Sequence, residues 1–168
     1  MKVTTTQPSP ELLLIADAKL WLRISGTDED TVIDDLIDSS RALIEGWCSC
    51  SIGTQTKVLT GYFCHDFELP FGPVQSITTV KREVNYIYEA ETVNEGYRYL
   101  NDTLREFYAG DYQITYLAGY TSDTLPKGLR NAWLELIAYS YVNRGDSNGS
   151  IPQSIKMKLN PYKRTFGI

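Results

Sequence analysis

The sequence predicts an α+β fold: a helical bundle with an inserted antiparallel β-sheet or small β-sandwich lobe. Two observations carry this. Apolar residues recur at helical spacing near both ends of the chain, over residues 27–47 and 125–144. Between them, over residues 55–117, the pattern changes to alternation broken by turn residues. The chain reads as one domain over residues 1–168. Its helical parts are expected at 12–50 and 125–160, its β insertion at 54–118, and an extended C-terminal tail at 160–168. With 42% hydrophobic and 22% charged residues, there is material for a real core and no reason to expect wholesale disorder.

The elements follow in order. Residues 1–11 read as an extended arm, because Pro8 and Pro10 bias the chain away from helix. A short helix follows at Ile15–Leu22, burying Ile15, Ala18 and Leu22, and Gly26 ends that unit. Thr27 or Asp28 then caps a long helix over 28–47. Asp28, Glu29 and Asp30 fall in its first turn, where the helix dipole favours negative charge. Val32, Ile33, Leu36, Ile37, Leu43, Ile44 and Trp47 form its inner face, while Asp34, Asp35, Asp38 and Glu45 lie outside. QTKVLTGYF sets Val58, Thr60 and Tyr62 against Leu59, Gly61 and Phe63. Pro70, Gly72 and Pro73 mark a turn, and SITTVKREVNYIY reads as a long β segment. DYQITYLAGY is the last strand, with Tyr112, Ile114 and Tyr116 on one face. The second long helix spans 126–144. Leu129, Ala132, Trp133, Leu136, Ile137 and Tyr141 share one face, and Leu134, Ala138 and Val142 form a second apolar stripe. A helix apolar on two sides is central in its bundle or shared with a neighbouring subunit. After the polar RGDSNGS, a short helix covers 153–159 and Pro161 stops it.

Composition excludes several functions. The net charge of −5 argues against a general nucleic-acid binder, which needs excess Lys and Arg to neutralise phosphates. An acidic protein can still stand beside DNA and let it slide past. No stretch approaches membrane-spanning length. Leu12 to Ala16 is too short for a secretory core, so the chain is expected in the cytoplasm with Cys48, Cys50 and Cys64 as free thiols. Twelve Tyr are many for this length; strand propensity explains most of them, and surfaces that meet partners also favour Tyr.

Catalytic constellations are weak. Cys48, Cys50, Cys64 and His65 supply four zinc donors, but two helical residues two apart point in nearly opposite directions. His65 is the one histidine and sits in a turn with no recognisable nucleophile motif. Asp34, Asp35 and Asp38 lack the alternating oxygen donors and Gly of a calcium loop. No GxxxxGK[ST] exists, and Arg144-Gly145-Asp146 is a chance tripeptide in a loop. No cofactor is expected.

The ordered motifs resemble the head–tail connector (adaptor, head-completion) proteins of tailed bacteriophages, in a long form with a β insertion. The resemblance runs through AKLWLRI (18–24), DEDTVIDDLIDSSRALIEGW (28–47) and ELPFGPVQSITTV (68–80). It continues through ITYLAGY (114–120) into LPKGLRNAWLELIAYSYVNR (125–144), and ends at LNPYKR (159–164). WCSCSI (47–52) departs from the family's usual Gly-type helix ending, and residues 85–105 match nothing.

The resemblance implies a virion structural protein and no enzyme. Such proteins form a ring, usually of twelve copies, under the portal protein. The ring extends the DNA channel without binding DNA specifically, and offers a platform to stopper or tail-completion proteins. The protein would sit in the virion neck after assembly in the host cytoplasm. Another neck or tail-completion protein is the alternative, and a small soluble hydrolase or metal enzyme using His65 and the cysteines is the remote one.

Three surfaces are candidates. Lys156, Met157, Lys158, Leu159, Tyr162, Lys163, Arg164 and Phe166 combine cations with anchors, and are expected to dock on the portal or a neighbour. On that reading, deleting 158–168 leaves a folded protein. Leu134, Ala138 and Val142 are expected at a subunit interface. Asp34, Asp35 and Asp38 are expected to face the channel or a partner.

Overall fold

The computed structural model describes residues 1–7, 9, 11–64, 66–84, 87–90, 98–100, 102–105, 108–144 and 150–164. The order of elements is β1 (Lys2–Gln7), α1 (Ile15–Leu22), α2 (Asp30–Cys48), β2 (Gln55–Phe63), β3 (Phe67–Glu68), β4 (Val74–Val84), β5 (Ile87–Ala90), β6 (Arg98–Leu100), β7 (Thr103–Arg105), β8 (Gly110–Ala118), α3 (Lys127–Val142) and α4 (Gln153–Leu159). A 3₁₀ turn at Asn160–Tyr162 follows. The α+β class and the antiparallel insertion are as the periodicities predict.

The helices bury the faces that their spacing marks. Ile33, Ile37 and Ile44 of α2 meet Leu129, Ala132, Trp133, Leu136 and Ile137 of α3, with Leu13 and Ala18 closing the cluster. The Trp133 indole N–H donates to the Ile37 carbonyl at 3.2 Å, so even the polar edge of this buried ring is satisfied. Two expected core residues differ. Val32 is 38% exposed, because it lies at the margin of the α2 stripe. Tyr141 reaches outward and donates to the Glu29 carboxylate, an acceptor that no helical period could indicate.

Helix ends differ by small, explicable amounts. α2 starts at Asp30 because residues 27–30 first close a turn, Asp30 N–H to Thr27 carbonyl at 3.2 Å. The Lys19 ammonium contacts Asp30 at 2.6 Å, tying that turn to α1. α2 stops where Ser49 takes a left-handed conformation, φ 50°. α3 stops at Val142, with the Asn143 side-chain amide donating to the Tyr139 carbonyl at 2.8 Å.

The insertion, together with β1, forms two sheets: five strands in the order β1-β2-β8-β4-β5, and three in the order β3-β7-β6. β2 lies antiparallel to β8 along its full length, from Gln55↔Ala118 to Phe63↔Gly110. Leu59, Phe63, Tyr112, Ile114 and Tyr116 point inward, as alternation requires, onto Leu69, Val80 and Leu104. The Tyr116 hydroxyl donates to the Pro70 carbonyl at 2.7 Å, and burial raises its pKa. The N-terminal arm does not stand alone: it is the edge strand β1, with Val3 opposite Leu59.

The two cores meet at one joint. Ser51 N–H donates to the Gly72 carbonyl at 3.1 Å, Gly119 N–H to Pro73 at 2.8 Å, and Tyr120 N–H to Ser51 at 3.3 Å. Gly119 has φ +118°, and a Cβ there would collide with the Gly53 carbonyl, so glycine is required for this approach. β2 and β4 start at the joint and β8 ends there. The sheet therefore projects from the helical bundle by one end.

Candidate docking surfaces

The C-terminal segment folds back on its own chain as far as it is described. Ile155 and Leu159, one helical turn apart on α4, are buried in the helical core. Lys158 pairs with Glu135 of α3 at 2.6 Å. The Lys156 and Lys163 ammonium groups lie over the Trp47 ring, 4.7 and 4.3 Å from its centroid. Tyr162 fills the space left by Gly128, where any Cβ would strike its hydroxyl. Arg164 reaches the β lobe, with Asp102 at 2.7 Å and Glu68 at 3.3 Å, while its backbone N–H donates to the Cys48 carbonyl at 2.9 Å. Gly72 leaves room for that guanidinium.

This corrects two expectations. Residues 160–162 form a 3₁₀ turn rather than an extended tail. The segment 158–168 includes Leu159, fully buried, so its removal opens a core cavity. Lys156, Lys158, Lys163 and Arg164 all have partners within the chain, so only part of their charge is available to a docking groove. Met157 is 66% exposed. Phe166 lies outside the described residues.

The α3 stripe grades from core to solvent. Leu134 is buried, Ala138 half-buried and Val142 78% exposed. Leu134 forms the floor of a groove of about 460 Å³ shared with Asp17, Leu20, Trp21, Arg23 and Arg130. Leu20 and Trp21 of α1 are 80% and 47% exposed. The helical spacing predicts one inner face for α1, and these two residues lie outside it. The signal for them is that Leu20 and Trp21 of α1, with Leu14 at its N-cap, are apolar yet lie off the Ile15–Ala18–Leu22 face. Arg130 pairs with Asp17 at 3.2 Å across the groove, while no ion pair holds Arg23 among the described residues.

The acidic face lies elsewhere. Asp34, Asp35 and Asp38 are all exposed on the outer side of α2. Beside them Arg41 gathers carboxylates, with Glu11 at 2.6 Å, Asp38 at 3.5 Å and Glu45 at 3.7 Å. Burial, reinforced by the neighbouring Asp38, pushes the Glu11 carboxyl up to about 7 despite Arg41. Burial likewise raises Glu45, whose Oε1 accepts from the Ile52 N–H and the Gln55 side chain, both at 2.6 Å. Glu45 thus holds the turn into β2 rather than the solvent face expected for it.

The thiols do not converge. Cys48 and Cys50 are buried at the end of α2, while Cys64 is exposed beyond the far end of β2. A hydrogen bond between the buried pair lowers the Cys48 thiol and raises that of Cys50. Among the described residues no group of three or more His, Cys, Asp or Glu could hold a metal ion. His65 lies outside them. No helix among the described residues is long and apolar enough to cross a membrane.

The model of the head completion protein family matches residues 11–155, covering α1 through Ile155 of α4. The chain belongs to the head completion protein family. Its role is that of a structural protein of the virion at the head–tail junction, as the ordered motifs lead one to expect. Solved structures carry the same fold. One, described as the neck of an empty GTA particle computed with C6 symmetry, has a TM-score of 0.80 at 19% identity, covering 100% of this chain and 98% of that one. The neck of the native GTA particle computed with C12 symmetry gives 0.77 at 19% identity, with the same coverage of both chains. The virion of the native gene transfer agent particle gives 0.76 at 20%, again covering 100% and 98%. No curated protein matches the chain. At these identities the likeness speaks for the fold, and the family membership rests on the sequence match.

Proposed function

We propose that this head completion protein is the head–tail adaptor of a tailed particle. Copies of the chain form a ring, of twelve, beneath the portal protein. The ring lengthens the DNA channel and presents a platform to stopper or tail-completion proteins. The family match carries this reading, and the C6 and C12 symmetries given for the GTA necks support a cyclic arrangement. A closed ring needs two different adhesive faces on each subunit. The Leu134–Ala138–Val142 stripe with the adjoining groove is one such face. The role requires no catalysis and no cofactor. Assembly takes place in the host cytoplasm, and the finished protein resides in the virion neck.

In this reading Met157 and Lys163, which are exposed, contact the portal or a neighbour together with the half-buried Lys156. The remainder, Lys158, Leu159, Tyr162 and Arg164, holds that edge in place. The net charge of −5 keeps DNA from adhering as it passes. The test is assembly. Purified protein is added to portal-bearing heads made without it, and the necks are imaged. A ring of this protein under the portal, with tails joining only after its addition, is the expected result. Heads that accept tails equally well without the protein would refute the adaptor role.

A further inference from the structure

Two surfaces of the chain are unlike in charge, and among the described residues neither is covered by the chain itself. The first is the groove between α1 and α3. Its walls are Leu20 and Trp21, its floor is Leu134, and its rim holds Arg23, Arg130 and Asp17. Arg130 is largely neutralised by Asp17 at 3.2 Å, and Arg23 adds an exposed cation. The groove is thus apolar with a positive rim.

The second is the outer ridge of α2. Asp35, Asp38, Ala42 and Gly46 fall on one side at helical spacing, with Asp34 and Val32 flanking them. Asp34, Asp35, Asp38, Ala42 and Gly46 are exposed. A Cβ added at Gly46 would meet nothing within 4 Å, so this end of the ridge is open and low. Asp38 has a weak pairing with Arg41 at 3.5 Å. The ridge is therefore negative, with small residues that allow close approach and an apolar side chain, Val32, at its margin.

The two surfaces share no residue. One faces outward from the α1–α3 side, and the other is the side of α2 turned away from the α3 core. An arrangement in which one copy's ridge enters the next copy's groove is heterologous and repeats around a ring. It also answers an electrostatic difficulty. Copies of a chain carrying −5 repel one another unless a positive patch meets a negative one. Among these surfaces the groove rim supplies the positive patch, and the ridge is its complement.

We propose that the α1–α3 groove, with Trp21 as its apolar anchor and Arg23 as its cationic rim, receives the acidic α2 ridge of a second copy of this chain. This places Asp34, Asp35 and Asp38 against a neighbouring subunit rather than the DNA channel. It rests on the ring reading above and specifies which faces mate.

The test exchanges the charges. Three full-length variants are made: Arg23→Glu, the pair Asp34→Lys with Asp35→Lys, and all three together. Each is added to portal-bearing heads, and ring occupancy is measured against protein concentration. All the changed residues are exposed, so melting temperatures should stay within about 2 °C of the parent. The groove-only and ridge-only variants should each raise the half-assembly concentration about tenfold or more, equivalent to about 1.4 kcal/mol. The combined variant, with both signs reversed, should recover to within about threefold of the parent. Single variants that assemble like the parent, or a combined variant no better than the worse single one, would overturn the proposal. So would normal rings in which the ridge variant alone retards DNA, which would give the ridge to the channel. If the parent forms no ring on heads, the ring reading itself fails, and that outcome is distinct from a parent ring that ignores the charge exchange.

Discussion

Replacing Leu159 by alanine separates a structural C-terminal segment from a detachable one. Leu159 ends α4, is fully buried, and packs within the helical core formed by α2 and α3. Its carbonyl also accepts a contact from the Cys48 thiol at 3.8 Å. Truncation removes buried methyl groups and leaves a cavity walled by rigid helices, which costs about 2–5 kcal/mol. We take about 3 kcal/mol, since the site is sealed yet lies near a helix end that can partly relax. For a chain of this length each kcal/mol lowers the melting temperature by about 2–4 °C, so the expected loss is about 6–12 °C. Met157→Ala is the internal control. Its side chain is 66% exposed, and its loss should stay within about 0.5 kcal/mol, or about 2 °C. Thermal melts followed by far-UV circular dichroism measure both. A Leu159→Ala protein within 2 °C of the parent, or one no different from Met157→Ala, would refute the claim that this segment is part of the core. Deletion of 158–168 should lower stability at least as far as Leu159→Ala.

Three further outcomes are expected. Gly119→Ala forces a Cβ onto the Gly53 carbonyl at φ +118° and should destabilise by about 3 kcal/mol or more, read as loss of soluble folded protein or a large fall in denaturant midpoint. Arg164→Ala removes the ion pairs to Asp102 and Glu68, which are partly screened, and should cost about 1–2 kcal/mol; limited proteolysis should cut the segment after Leu159 sooner than in the parent. Glu11 binds its proton more tightly when folded, with a pKa of about 7 against an ordinary 4.5. Its stabilising contribution is therefore complete below about pH 4.5 and is lost as pH rises through about 7. Glu11→Gln should match the parent near pH 5 and exceed it at pH 8, and equal melting temperatures across that range would contradict the assignment.

Much of the architecture is legible in the sequence because it rests on local periodicity. α1, α2 and α3 bury the residues that recur every three or four positions, and β2 and β8 bury alternate ones. What the sequence conceals are partners distant along the chain. β1 carries KVTTTQ, which has no alternation of its own, and becomes a strand only because β2 offers an unpaired edge. The cations of the C-terminal segment read as unspent because their partners are remote: Glu135 is 23 positions from Lys158, and Asp102 is 62 from Arg164. Trp21 was hidden for a related reason. A helix as short as α1 gives too few turns to show that its apolar residues occupy two faces.

The attachment of the sheet by one end has a geometric consequence. Ser51, Gly72, Pro73, Gly119 and Tyr120 fix where β2, β4 and β8 meet the helices, and nothing at that joint depends on how far the strands continue. The β4–β5 hairpin lies at the free end, with Val84 opposite Ile87. Adding two residues to each of its strands would carry the tip about 7 Å farther while keeping every side chain on its present face. The insertion thus behaves as an adjustable spacer, in which reach is set by strand length and the helical core needs no change.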